Sequence, residues 1–287
     1  MTSHGRVHGP IIAGQTSVVQ FAGWTMPEMV VEMEAGLHLL WPTGKERKQH
    51  IEDLKRHLAA ARLYDAARTL EEQSQQAEGG NTKGPALLID PRFEALRPYV
   101  RGGKSVYVEA ESKQEILETL HFAKQEKLKV VLCGAIDAWK VAEQIKAAAA
   151  SVIVGPVMRK PQEEYDPFDA PYANAGRLHE AGVKFCFRSD TASNSRNVPF
   201  EAAMSVAYGL PESVALRSVT LTSAEILGVG DRMGSLTAGK WANAIITDGS
   251  PLQQTTQIKG ILIQGQPFAP ESRQTRFYDK YRSRLKR

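Results

Sequence analysis

The sequence predicts an α/β fold built on a parallel β-sheet covered by helices. Three observations carry this expectation. Short apolar runs rich in β-branched and aromatic residues begin at 105, 129, 151 and 183. Between them lie helical patterns whose apolar residues recur about every 3.6 positions. After Gly228 the texture changes to two strand-like runs separated by a turn. Apolar strands alternating with amphipathic helices read as βα units, whose strands are buried on both faces. Periodicity alone fits a barrel and a doubly wound sheet equally well.

The elements follow in order. Residues 16–21 and 36–40 are candidate early strands. Thr43-Gly-Lys-Glu46 reads as a capping box opening a long helix. Ile51, Leu54, Leu58, Ala61 and Tyr64 mark its apolar face, and Gly79-Gly80 offers a left-handed stop. Its many charges assign it to a solvated outer layer. Ser105-Val-Tyr-Val-Glu-Ala110 is the first secure strand. Ser112 and Glu115 form a second capping box, and Ile116, Leu120 and Ala123 give the helix behind it one apolar stripe. Strands at 129–133, 151–154 and 183–187 alternate with helices at about 137–150 and 172–181. Three short helices are expected at 199–208, 212–218 and 223–227. Strands at 243–248 and 258–264, separated by Gly249-Ser-Pro251, should pair antiparallel outside the parallel series.

Composition excludes several classes of function. In 287 residues, 42% are hydrophobic and 24% charged, so the chain can bury a core and is not disordered throughout. The net charge is +4, and much of the excess sits at 273–287. No basic face interleaved with aromatics runs through the body, so no nucleic-acid partner is expected. Cys133 and Cys186 lie in apolar runs and make no disulfide framework. No apolar run approaches the ~18 residues of a membrane span, and residues 1–10 lack the apolar core of a signal peptide. The expectation is a cytoplasmic protein with no membrane partner. No GxGxxG or P-loop pattern follows any strand, which sets a mononucleotide-binding sheet aside.

A more specific signal lies between 215 and 265. The chain reads Ala215-Leu-Arg-Ser-Val-Thr220, Ser223-Ala-Glu-Ile-Leu-Gly228 and Asp231-Arg-Met-Gly-Ser-Leu-Thr-Ala-Gly-Lys240. Asn243-Ala-Ile-Ile-Thr-Asp-Gly-Ser-Pro-Leu252 and Ile261-Leu-Ile-Gln-Gly265 follow. This ordered run resembles the C-terminal part of the amidohydrolase superfamily, nearest its imidazolonepropionase-like and dihydroorotase-like branches. Asn243 stands where those proteins usually carry Asp. The resemblance implies a (β/α)8 TIM-like barrel, incomplete here, with a small C-terminal β-sandwich portion. It divides the chain into a partial barrel at 1–228, a sandwich portion at 229–270 and a basic tail at 271–287. With at most two or three strands before Ser105, the first barrel strand and the N-terminal sandwich strands are expected to be missing, as in a truncated or reduced relative.

The resemblance also assigns chemistry. Such hydrolases use one or two divalent metals to activate water and an Asp on the eighth strand to take its proton. Strand-end residues carry the activity of such barrels. Asp190, after Phe185-Cys-Phe-Arg-Ser189, matches that Asp and is the expected catalytic residue. Glu109 and Cys133 fall where histidine ligands are usual, so Glu109, Cys133 and Asp190 are the candidate metal set, with zinc the first choice of metal. The alternative is that Cys133 is a buried apolar residue, Glu109 a strand-end carboxylate, and no metal is held. The three should face one cavity yet stand too far apart to chelate. The first-strand His-x-His is absent: His4 and His8 have the wrong spacing, and His38, His50, His57, His121 and His179 are scattered.

Two functions follow. One is hydrolysis of a C–N bond in a small amide, cyclic or open-chain, by metal-activated water at a degenerate or truncated site. The other is a non-catalytic binding or interaction module on the same fold. The expected partners are a small-molecule substrate and, at an open sheet edge, a second copy or a complementing chain.

Overall fold

The structure, a computed structural model, describes residues 11–77, 88–189, 191–282 and 284. Its principal sheet has six strands in chain order: β1 (Ile12–Val19), β2 (Val30–Leu40), β3 (Ser105–Ala110), β4 (Lys129–Gly134), β5 (Ser151–Val154) and β6 (Phe185–Phe187). β2 to β6 run parallel, and β1 pairs antiparallel with β2. The strands expected at 105, 129, 151 and 183 are β3 to β6, parallel and adjacent, the last beginning at Phe185 rather than at 183. Among the described residues the sheet runs from β1 to β6 without β6 pairing back to β1.

The two early strands depart from expectation. β1 lies at 12–19 rather than 16–21, with an irregular register around Gly14, whose φ of +131° bends the strand without ending it. β2 begins at Val30, six residues early, because Glu32 and Glu34 disguise a strand whose partner is the β1 hairpin arm.

Helices pack on the outer face. The long one, Arg47–Ala77, starts beyond the Thr43–Glu46 box and buries Leu54, Leu58 and Ala61; its predicted stop at Gly79-Gly80 lies outside the described residues. Ser112 caps Lys113–Gln125 as expected: its Oγ accepts from the Glu115 N–H at 3.3 Å, and Glu115 Oε2 accepts from the Ser112 N–H at 3.2 Å. The helix expected at 137–150 is a 3-10 turn, Ala138–Val141, followed by Ala142–Ala147. Asn174 Oδ1 takes the Trp139 N–H at 3.0 Å, and Ala149 turns left-handed (φ 50°) to feed β5. Tertiary bonding overrides the helix propensity of the alanines here. Ala170–Glu180, Val198–Ala207, Glu212–Ser218 and Leu221–Ile226 complete the set. None of the described helices is long and apolar enough to cross a membrane.

A separate antiparallel sheet holds β7 (Ala244–Thr247), β8 (Ile258–Ile263) and β9 (Gln266–Phe268). The first two answer the expected pair. β9 was not expected; Gln264 (φ 51°) and Gly265 (φ 79°) form the two-residue reversal that returns the chain as β9. Within the tail at 271–287, Ser272 caps a helix at Arg273–Tyr281.

The alternation of side chains gives the main sheet two unlike faces. Leu37, Leu39, Val106, Val108, Val130, Leu132, Val152, Val154, Phe185 and Phe187 join the helices in the large core. The opposite face carries Tyr107, Val131, Cys133, Ile153 and Cys186, covered by Ile226 and Leu227. The Tyr107 hydroxyl donates to the Ile226 carbonyl at 3.3 Å. Arg232 ties the following segment back to β2, donating to the Val31 carbonyl at 2.8 Å and to Glu32 Oε2 at 2.9 Å. This second face, at its carboxyl end, is where the candidate site lies.

Candidate functional site at the carboxyl end of the strands

Residues two apart on a strand share a face, so the inner face is read by parity. On β3 it carries Tyr107 and then Glu109; on β4, Val131 and Cys133; beyond β6, Cys186 leads to Arg188. Register places Glu109 beside Cys133 on the neighbouring strand. Arg188 reaches across β4 and β5 to Glu109: Nη1 donates to Oε1 at 2.5 Å and Nη2 to Oε2 at 2.7 Å. Its Nε donates to the Gly155 carbonyl at 3.2 Å. From β2, His38 Nε2 lies 3.0 Å from Glu109 Oε1. All three side chains are largely buried, at 7%, 13% and 12% exposure for His38, Glu109 and Arg188.

Burial alone would raise the Glu109 carboxyl, but hydrogen bonds from His38 and Arg188 outweigh it and hold it at about 2. For Arg188, burial opposes the charge and the bonds to Glu109 overcome it, leaving the guanidinium more basic than usual. Cys133 is driven up by burial and then by the Glu109 charge, so it remains a thiol. Its Sγ lies 3.9 Å from the Val131 carbonyl. Burial pushes Cys186 up to about 12, which makes it no nucleophile at neutral pH. Glu111, just past β3, pairs with Arg159 at 3.1 Å.

The depressed Glu109 carboxyl has a consequence for acid stability. A folded pKa below the ordinary 4.5 contributes stability that is present above pH 4.5 and lost as pH falls toward 2. We expect the melting temperature to drop across that window, with a contribution on the order of 3 kcal/mol removed. In Glu109→Gln that component of the acid slope should vanish; an unchanged slope would show that Glu109 is not the group responsible.

Of the residues singled out by sequence, the structure brings Glu109 and Cys133 to one face. Asp190 lies outside the described residues, as do His4 and His8. Sequence reasoning missed His38 and Arg188, the two residues that engage Glu109. Their signal was parity: His38 alternates with Leu37 and Leu39, and Arg188 alternates with Phe185 and Phe187.

The donors do not fit a divalent cation. Both Glu109 oxygens are held by a guanidinium, Cys133 is a sealed thiol, and no three His, Cys, Asp or Glu among the described residues gather in metal-binding geometry. Beside Arg188, a cleft of about 190 Å³ opens toward the 191–198 segment. Ile153, Phe187, Val198 and Leu227 give it apolar walls, and Ser189, Thr191, Ser195 and Ser223 contribute polar ones.

The family model described as the amidohydrolase family matches residues 33–267. Amidohydrolase tasK of Hapsidospora irregularis is 40% identical over 81 residues, covering 28% of this chain and 8% of that protein's length. The chain therefore spans a small part of that relative. In fold it is similar to an amidohydrolase from Thermotoga maritima MSB8, with a TM-score of 0.74 at 20% identity, covering 91% of this chain and 69% of that one. The family match includes all of the parallel strands from β3 to β6 and the segment that first suggested the resemblance. The chain belongs to the amidohydrolase family.

Proposed function

We propose that this chain acts as a hydrolase of non-peptide C–N bonds, on a small amide, cyclic or open-chain, held in the cleft beside Arg188. The observation that carries this reading is the family match across the strands that build the cleft. The cleft's chemistry supports it. Glu109 and Gly155 engage three of the five guanidinium N–H groups, leaving donors suited to a carbonyl oxygen. The Ser189, Thr191, Ser195 and Ser223 hydroxyls add further polar partners, and the apolar walls suit the hydrocarbon part of such a molecule. Ligand sites for drug-sized molecules run to roughly 300–1,000 Å³, so this smaller cleft suits a small substrate.

Metal ions in this family supply an activated water. Because the described donors do not fit such an ion, no step here is routed through one. Within the chain's own residues, Asp190 is the carboxylate to which we assign removal of a proton from the attacking water, with Arg188 orienting the carbonyl. Glu109 is ill suited to the task, since both its oxygens accept from Arg188, one also contacts His38, and these bonds hold its carboxyl at about 2, a weak base. That commitment is also the specific observation favouring a second reading, a non-catalytic binding module on the same fold.

Asp190→Asn separates the two readings. For a hydrolase, amide turnover should fall by roughly 10²–10⁴, the usual worth of a positioned base, while binding of the amide persists. A wild-type chain that binds small amides and turns none over would establish the binding module instead.

A further inference from the structure

We infer that Arg188 is a built-in cation that closes the Glu109–His38 cluster to divalent metal. Its guanidinium takes up the carboxylate that any metal at this cluster would have to use. Both carboxylate oxygens are spent on it, at 2.5 and 2.7 Å. An ionised carboxylate only accepts hydrogen bonds, so the His38 Nε2 that contacts Glu109 at 3.0 Å carries a hydrogen and has no lone pair for a metal. Each of the two potential ligands is thus turned inward on the cluster.

The surrounding backbone is shaped for the arginine. A Cβ on Gly134, at the end of β4, would lie 3.2 Å from Arg188 Nη2. A Cβ on Gly155, just past β5, would lie 2.3 Å from the Arg188 carbonyl oxygen. The Gly155 carbonyl accepts from Nε at 3.2 Å and fixes the plane of the guanidinium. Two glycines at successive strand ends and one carbonyl therefore cradle Arg188. The nearby carboxylate of Glu111 is neutralised separately by Arg159. A divalent ion entering the cluster would meet a fixed positive charge at contact distance and would have to displace a bidentate pair.

This inference goes beyond the hydrolase reading, and its failure is read from metal occupancy rather than from turnover. The full chain, stripped with chelator, would be titrated with Zn²⁺ by calorimetry, with thermal melting in parallel. For the wild type we expect no stoichiometric binding at the cluster and no rise in melting temperature with the ion. Arg188→Gln removes the charge at similar length and should tighten Zn²⁺ binding by about 10- to 100-fold, the range over which residues beside metal ligands tune affinity. Arg188→Lys keeps the charge and should behave as wild type. Stoichiometric zinc on the wild type that is lost in Glu109→Gln or His38→Gln would overturn the inference, as would a folded Arg188→Gln chain with no gain. Zinc retained in both of those variants would lie elsewhere and leave the cluster closed. Should Arg188→Gln not fold, the wild-type titration with His38→Gln decides alone.

Discussion

Glu109→Gln should lower the unfolding free energy by about 3–5 kcal/mol, the cost of stranding a buried charge when its partner is removed. The expectation rests on Arg188, whose side chain is 12% exposed and whose two terminal nitrogens both bond Glu109. The amide offers one acceptor where the carboxylate offered two, and it carries no charge to offset the guanidinium. Denaturant unfolding, with the slope checked for constancy, measures the loss. A double variant, Glu109→Gln with Arg188→Met, should recover much of it, because a neutral pair of similar volume leaves no orphaned charge. A loss in the single variant below about 1 kcal/mol, the range of exposed ion pairs, would mean that solvent reaches the pair and that the site is not closed.

Gly155→Ala should destabilise by about 2–5 kcal/mol, combining left-handed backbone strain with overpacking. Gly155 has φ +130°, and its added Cβ would meet the Arg188 carbonyl oxygen at 2.3 Å, with backbone on both sides. Neither partner can rotate away, so relief requires β5 and β6 to separate at the ends that hold the site. Gly209→Ala is the matched control. Its φ is +102°, but nothing lies within 4 Å of the new Cβ, so only the conformational part, about 1–2 kcal/mol, should appear. Equal losses in the two variants would refute the packing argument.

How far the fold could be read from sequence varied with burial. β3 to β6 were legible because strands covered on both faces become continuous apolar runs, and Ser112 with Glu115 marked the helix that follows β3. β2 was only partly legible: its first half faces β1 and solvent, so Glu32 and Glu34 interrupt the apolar pattern. The 137–150 stretch misled because alanine favours helix locally, whereas Asn174, 35 residues on, claims the Trp139 N–H. At the site, Glu109 was found because a carboxylate ending an apolar strand stands out. His38 and Arg188 are 71 and 79 residues from it in sequence, and their meeting depends on strand order and parity together. A search for metal donors also passes over an arginine by construction, since a guanidinium has no lone pair to give.

The strict chain order of the six strands bears on how the molecule is made. Each new strand can add beside the one before it, with the β1–β2 hairpin already shielding the first edge, so the sheet can grow as the polypeptide emerges from the ribosome. The inner face has no such early cover. Tyr107, Val131, Ile153 and Cys186 stay bare until Ile226 and Leu227 arrive, long after β6 has been laid down. Nascent chains halted between β6 and Ile226 should therefore carry a paired sheet with an open apolar face, the species most in need of a chaperone. Closure of the cleft thus waits on the segment that carries Ser223, Ile226 and Leu227.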